Sequence, residues 1–173
     1  MVKKSKLLSY GLAIVVGSSY WIGLGVANAS TGSDHQSIFD SVDGGEIRWG
    51  GTTKYSSYVS TSHTVWENVG RIDFAKDTAT TIQDLTYDDV YTTEGIYGRW
   101  TPLAGADKLI FNDRLLQNAS SFVKNHVAAH EAGHALGIKD HGDSKYNGIL
   151  MSAKKMEVAT PQSHDKSDYN SRW

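Results

Sequence analysis

Three features of the amino-acid sequence predict a mixed α+β domain. Its hydrophobic patterns run strand, helix, several strands and then a long helix, an order that suits helices laid on one sheet. Its 173 residues suit one core, with room for an export segment in front of it. Its composition, 39% apolar and 21% charged, is that of an ordinary globular chain.

Taken in order, the first 29 residues read as a signal peptide. Lys3, Lys4 and Lys6 precede an uncharged run from Leu7 to Val26, and Ala27-Asn28-Ala29 supplies the small-x-small pattern of a cleavage site. A secreted protein is expected. The run of residues 7–26 is also long enough for an uncleaved membrane anchor, the alternative reading, although its Gly and Ser content weakens it. Beyond it, 14 basic groups face 19 acidic ones, so no basic footprint exists for nucleic acid. The chain has no cysteine, so an exported form must rely on core packing and bound ions instead of disulfides.

Residues 30–45 are polar and read as a leader into a single domain over 46–173. Glu46-Ile47-Arg48-Trp49 alternates polar and apolar residues as a half-buried strand does. Tyr58, Val65, Trp66 and Val69 fall at helical spacings, predicting a helix over 61–70 with Gly70 at its end. Arg71 to Phe74, the stretch from Ile82 to Tyr91, Ile96 to Trp100 and Lys108 to Asn112 complete four or five strands. From Ser120 or Ser121, apolar and histidine residues recur every three or four positions up to Gly137. That is a helix of four to five turns, closed by a glycine suited to a left-handed terminus.

The last helix carries His130-Glu131-Ala132-Gly133-His134, the H-E-x-x-H pattern. Positions i and i+4 share a helix face one turn apart, so two imidazoles can converge on one ion. Zinc fits that geometry, and Glu131 stands beside the first ligand, where a carboxylate can accept a proton from water. The residue frequencies of this chain give roughly 0.008 chance occurrences of the pattern, which favours a site over coincidence. A third ligand must come from beyond Gly137. Asp140 sits three residues after that glycine and is favoured, while His141, one residue later, is the alternative third ligand.

The segment from His130 to His141 resembles the zinc signature of the snapalysins, small secreted metzincin endopeptidases related to matrixin-type metalloproteases. In that family the third ligand is an aspartate followed by histidine. Gly148 to Ser152 is similar to the family's Met-turn, which assigns Met151 a place beneath the metal without ligating it. Thr160 to Trp173 resembles its closing helix. The resemblance covers residues 121–173, with upstream agreement of order only. Two departures stand out: no disulfide is possible near the Met-turn, and Gly142 replaces the aromatic that often follows the Asp-His pair.

The resemblance implies a metzincin-like zincin fold: a twisted mixed sheet of four to five strands, a first helix, a zinc-binding helix and a C-terminal helix. It also implies a monomeric endopeptidase with one catalytic Zn²⁺ held by His130, His134 and Asp140, and Glu131 as general base. Extended protein or peptide substrate would pair with an edge strand over 108–112, and a large apolar residue after the cut would be preferred. A non-catalytic zinc-binding module is the rival expectation.

Other residues carry weaker signals. His126 lies one turn before His130, but about 12 Å of helix separates it from His134, so it is read as a packed or solvent-facing residue and not as a ligand. His35, His63 and His164 have no partner at ligand spacing. Asp84, Asp88, Asp89, Glu94, Asp107 and Asp113 could include a Ca²⁺ site, although no complete calcium loop occurs.

Overall fold

A computed structural model describes residues 35–173; the signal-peptide and anchor readings lie outside the described residues. Among the described residues, five strands form one sheet in the order β2-β1-β3-β5-β4, and four α-helices complete the α+β domain. Strands β1 (Glu46–Gly51), β2 (Asp73–Lys76), β3 (Leu85–Val90) and β5 (Asp107–Asn112) run parallel. Strand β4 (Gly98–Thr101) is antiparallel to β5 and forms one edge. The expectation that 108–112 is the edge strand is therefore corrected. The chain doubles back from β4 into β5, so β4 covers the outer side of β5. Alternation of polar and apolar residues predicts strands but not their neighbours.

Helix α1 (Ser56–Glu67) connects the parallel pair β1 and β2, as a parallel pairing requires a crossover. It begins five residues earlier than predicted. Its serines and threonines do not cap its start: Ser62 and Thr64 donate back to the carbonyls of Val59 and Ser60. The short helix α2 (Asp113–Leu116) is capped by Asn112, whose side chain accepts the Arg114 N–H. Asn112 also donates to the carbonyls of Thr92, Glu94 and Ile96, which fastens the loop leading into β4.

Helix α3 (Ser121–Ala135) packs against α1 beneath the sheet, and α4 (Ser163–Arg172) closes the domain. The core between these layers includes Ile47, Trp66, Leu85, Leu109, Leu136 and Tyr169, each fully buried. Trp66 donates its indole N–H to the Ala129 carbonyl at 2.8 Å, which sets the register between α1 and α3.

Residues 35–43 are hydrogen-bonded onto the domain. The Ser37 and Ser41 N–H groups donate to Gly137 and Ala135 at 2.8 and 2.7 Å, answering carbonyls at the end of α3. The buried Ser41 hydroxyl donates to Asp107 (2.8 Å) and accepts the Trp100 indole N–H (2.9 Å), tying this segment to β5 and the edge strand. Arg172 reaches back from α4 to the Ser37 carbonyl and the Asp40 carboxylate.

Candidate metal centre

Helix α3 starts where the Ser120 side chain accepts the Val123 N–H at 3.3 Å. Its periodic pattern then carries His130 and His134 onto one buried face, with ring centroids 4.8 Å apart and planes nearly perpendicular. Gly137, at φ +82°, turns the chain sharply after the helix. A side chain there would also collide with the Arg172 guanidinium packed over it.

The turn has two chemical consequences. It brings the Ile138 carbonyl to 2.8 Å from His134 Nδ1, while the Leu150 carbonyl lies 2.9 Å from His130 Nδ1. Each Nδ1–H can donate there, which leaves both Nε2 atoms with a free lone pair. The turn also places Asp140 Oδ1 3.0 Å from His130 Nε2 and 3.7 Å from His134 Nε2. These three buried atoms make no aligned hydrogen bond. They form one metal-competent group, and His141 is not in it.

Electrostatics couple the group tightly. Burial works against a charged His130, but the Asp140 carboxylate more than reverses this and raises the imidazole to about 9, so a metal binding at Nε2 would take the place of a proton there. For Asp140, burial pushes upward, yet the imidazoles of His134 and His130 prevail and hold its carboxyl below the ordinary range. Burial raises Glu131, against the pull of the same two histidines.

Glu131 is positioned by the edge strand. Its Oε2 accepts the Trp100 N–H at 2.8 Å, and β4 can come this close because Gly98 has no side chain. A Cβ at Gly98 would lie 2.8 Å from Val127 Cγ1 and 2.9 Å from Glu131 Cγ. Met151 is fully buried under the helix. Its sulfur occupies the place a Cβ of Gly133 would need, with only 2.4 Å between them. The glycine inside the H-E-x-x-H segment is thus a packing requirement for Met151.

Asp165 was not legible as a site residue. Fully buried, it accepts the N–H groups of Leu150 (2.9 Å), Met151 (3.0 Å) and Gln162 (2.7 Å). One carboxylate therefore caps α4 and holds the turn whose Leu150 carbonyl orients His130. The spacing Gln162-x-x-Asp165 at a helix start was the available signal, a variant of the capping box.

The other predicted residues fall as follows. His126 is buried, with Nδ1 2.5 Å from the Val158 carbonyl, and packs beside His130 as expected. His63 is buried against Phe74 and hydrogen-bonds Tyr87, and burial lowers its imidazole to about 4. The carboxylates considered for calcium each meet a protein partner, from Asp88 on Lys108 (2.7 Å) to Asp113 on Lys54 (2.6 Å). None of them joins a metal-competent group among the described residues. His35 and His164, read as unpartnered, are instead gathered with His141 and Asp168. Sequence spacing could not reveal this, because the two histidines lie 129 residues apart.

No protein-family model matches the chain, and no curated protein matches it in sequence. Among solved structures, archaemetzincin (AmzA) from Archaeoglobus fulgidus, complexed with malonate, is 14% identical over 71% of this chain and 99% of its own, with a TM-score of 0.43. Myroilysin is 17% identical over 76% of this chain and 72% of its own, with a TM-score of 0.37. At such identities and scores, neither likeness carries a functional conclusion.

Proposed function

We propose that this protein is a zinc-dependent metalloendopeptidase in which His130, His134 and Asp140 hold the metal and Glu131 is the general base. The observation that carries this reading is the trio of buried donor atoms facing one another without hydrogen bonds. Buried polar atoms of that kind call for a partner, and two imidazoles with one carboxylate suit zinc while leaving a coordination position open. Bound there, zinc would supply Lewis acidity toward a substrate carbonyl and would make water acidic near neutral pH.

Glu131 takes the proton from the attacking water and returns it to the nitrogen of the leaving amine. Its burial helps, because a carboxyl raised above its ordinary value is a better base for that transfer. The peptide would lie extended along β4, the strand whose Trp100 N–H already touches Glu131, by addition of a strand to the sheet edge. The chain is read as exported, with residues 1–29 as its signal; sequencing the N-terminus of exported protein separates this from an anchor at 7–26.

One observation favours a second reading, a non-catalytic zinc-binding module. Glu131 has a structural duty in holding β4, so its presence does not by itself require chemistry. A single comparison separates the two. Purified protein should cleave casein or peptide mixtures, chelator should abolish cleavage, and Glu131→Gln should abolish it while zinc stays bound. Zinc that the parent holds and His130→Ala/His134→Ala loses, with no chelator-sensitive cleavage in the parent chain, would establish the module reading.

A further inference from the structure

We propose that His35, His141, His164 and Asp168 form a second transition-metal site, a closed structural one that staples both ends of the domain to the Asp140 loop. Three imidazoles and one carboxylate offer donor atoms that all lie within 4.8 Å of one another. His141 Nε2 is 2.9 Å from Asp168 Oδ2, and His164 Nε2 is 3.5 Å from the same oxygen. Donors about 2.0–2.1 Å from a shared zinc at tetrahedral angles lie roughly 3.3 Å apart, so these separations bracket the required one.

The ring geometry agrees. The His35 centroid lies 4.4 Å from that of His141 and 5.3 Å from that of His164, and His141 and His164 are 4.9 Å apart. His164 Nε2 is buried without a hydrogen-bond partner. Three imidazole nitrogens and one carboxylate oxygen make a donor set that a divalent transition metal satisfies together. Imidazole-rich coordination selects a transition metal such as zinc over calcium or magnesium.

Backbone contacts place each donor before any metal arrives. The His35 carbonyl accepts the Lys139 N–H at 3.0 Å. The His141 N–H donates to Met151 (2.8 Å), and its carbonyl accepts the Ala153 N–H (3.1 Å). His164 and Asp168 stand one turn apart on α4, the spacing that puts two side chains on one helix face. Tyr146 stacks on His164 with centroids 4.7 Å apart and also packs on His141, so it covers the group on one side.

Four protein donors leave no open position, which makes the site structural. In a chain without cysteine, it supplies the cross-link that a disulfide would otherwise provide. It also divides the Asp140-His141 pair: the aspartate faces His130 and His134, and the next residue faces the second group.

Zinc content of the full chain, measured by mass spectrometry after desalting, tests the assignment independently of activity. The parent should hold about two zinc ions per chain, and His164→Ala about one with a lowered melting temperature. A His130→Ala/His134→Ala variant should keep about one, and cobalt in its place should give a tetrahedral absorption spectrum that adding His164→Ala removes. Equal zinc in parent and His164→Ala overturns the second site, whether or not the double variant folds. A folded double variant that holds no metal overturns it too. By contrast, a parent that loses zinc with His164→Ala but none with His130→Ala/His134→Ala would sink the catalytic centre and leave the second site standing.

Discussion

The two histidine groups of this domain are built in opposite ways. His130, His134 and Asp140 lie within 11 consecutive residues, and one helix with one glycine turn brings them together. His35, His141, His164 and Asp168 come from three separate segments and meet only because the two ends of the domain pack side by side. The difference teaches that a site made by local periodicity announces itself in the sequence, whereas one made by packing does not. Its residues are read as ordinary until the fold is known.

The contrast can be broken first at the chemistry. Glu131→Gln should lower kcat by about 10³-fold, since loss of a general base costs roughly that much, with zinc content unchanged. Steady-state kinetics beside metal analysis checks this, and equal kcat in the two proteins would remove Glu131 from the reaction.

Next in size is Asp165→Ala, which strikes the support both groups share. It strips two buried N–H groups and one half-buried N–H group of their acceptor and should cost about 4 kcal/mol in denaturant unfolding. Zinc retention should fall as well, because the Leu150 carbonyl loses its anchor and His130 its orientation.

His63 sharpens the comparison as a histidine outside both groups. Its imidazole sits at about 4 in the folded chain against an ordinary 6.5, chiefly through burial. The unfolded chain therefore takes up the proton first as pH falls. This contribution is fully present above 6.5, is lost between 6.5 and 4, and is worth roughly 3 kcal/mol. Unfolding of chelated protein across that window should show the decline, and His63→Leu should make it shallower without removing it, since burial lowers His126 to about 4 as well.

The smallest effect is expected from Gly133→Ala, which presses on the first group alone. A methyl there meets Met151 sulfur, so about 2 kcal/mol should be lost in thermal or denaturant unfolding. A variant as stable as the parent would show that Met151 can move aside freely.

Much of the fold was legible for the same reason as the first site. The strands at 46–51, 85–90 and 107–112 and the helix ending before Gly137 all carry periodicities that their own residues set. Helix α1 starts at Ser56, ahead of the predicted 61, because its Ser and Thr side chains bond to carbonyls within the helix, and only the surrounding chain selects that use over capping. The edge strand was misassigned for a related reason, since strand order depends on which segments return beside each other.

The sequence by itself determined the α+β class, the long helix α3 and the candidate ligands His130 and His134, because helical spacing and a terminating glycine act over a few residues. Only the tertiary structure decided that β4 is the edge, that Asp140 and not His141 faces those histidines, and that Asp165 braces the turn. It alone joined His35 to His164. These outcomes depend on contacts between residues far apart in the chain, and such contacts follow from how whole elements bury their apolar faces.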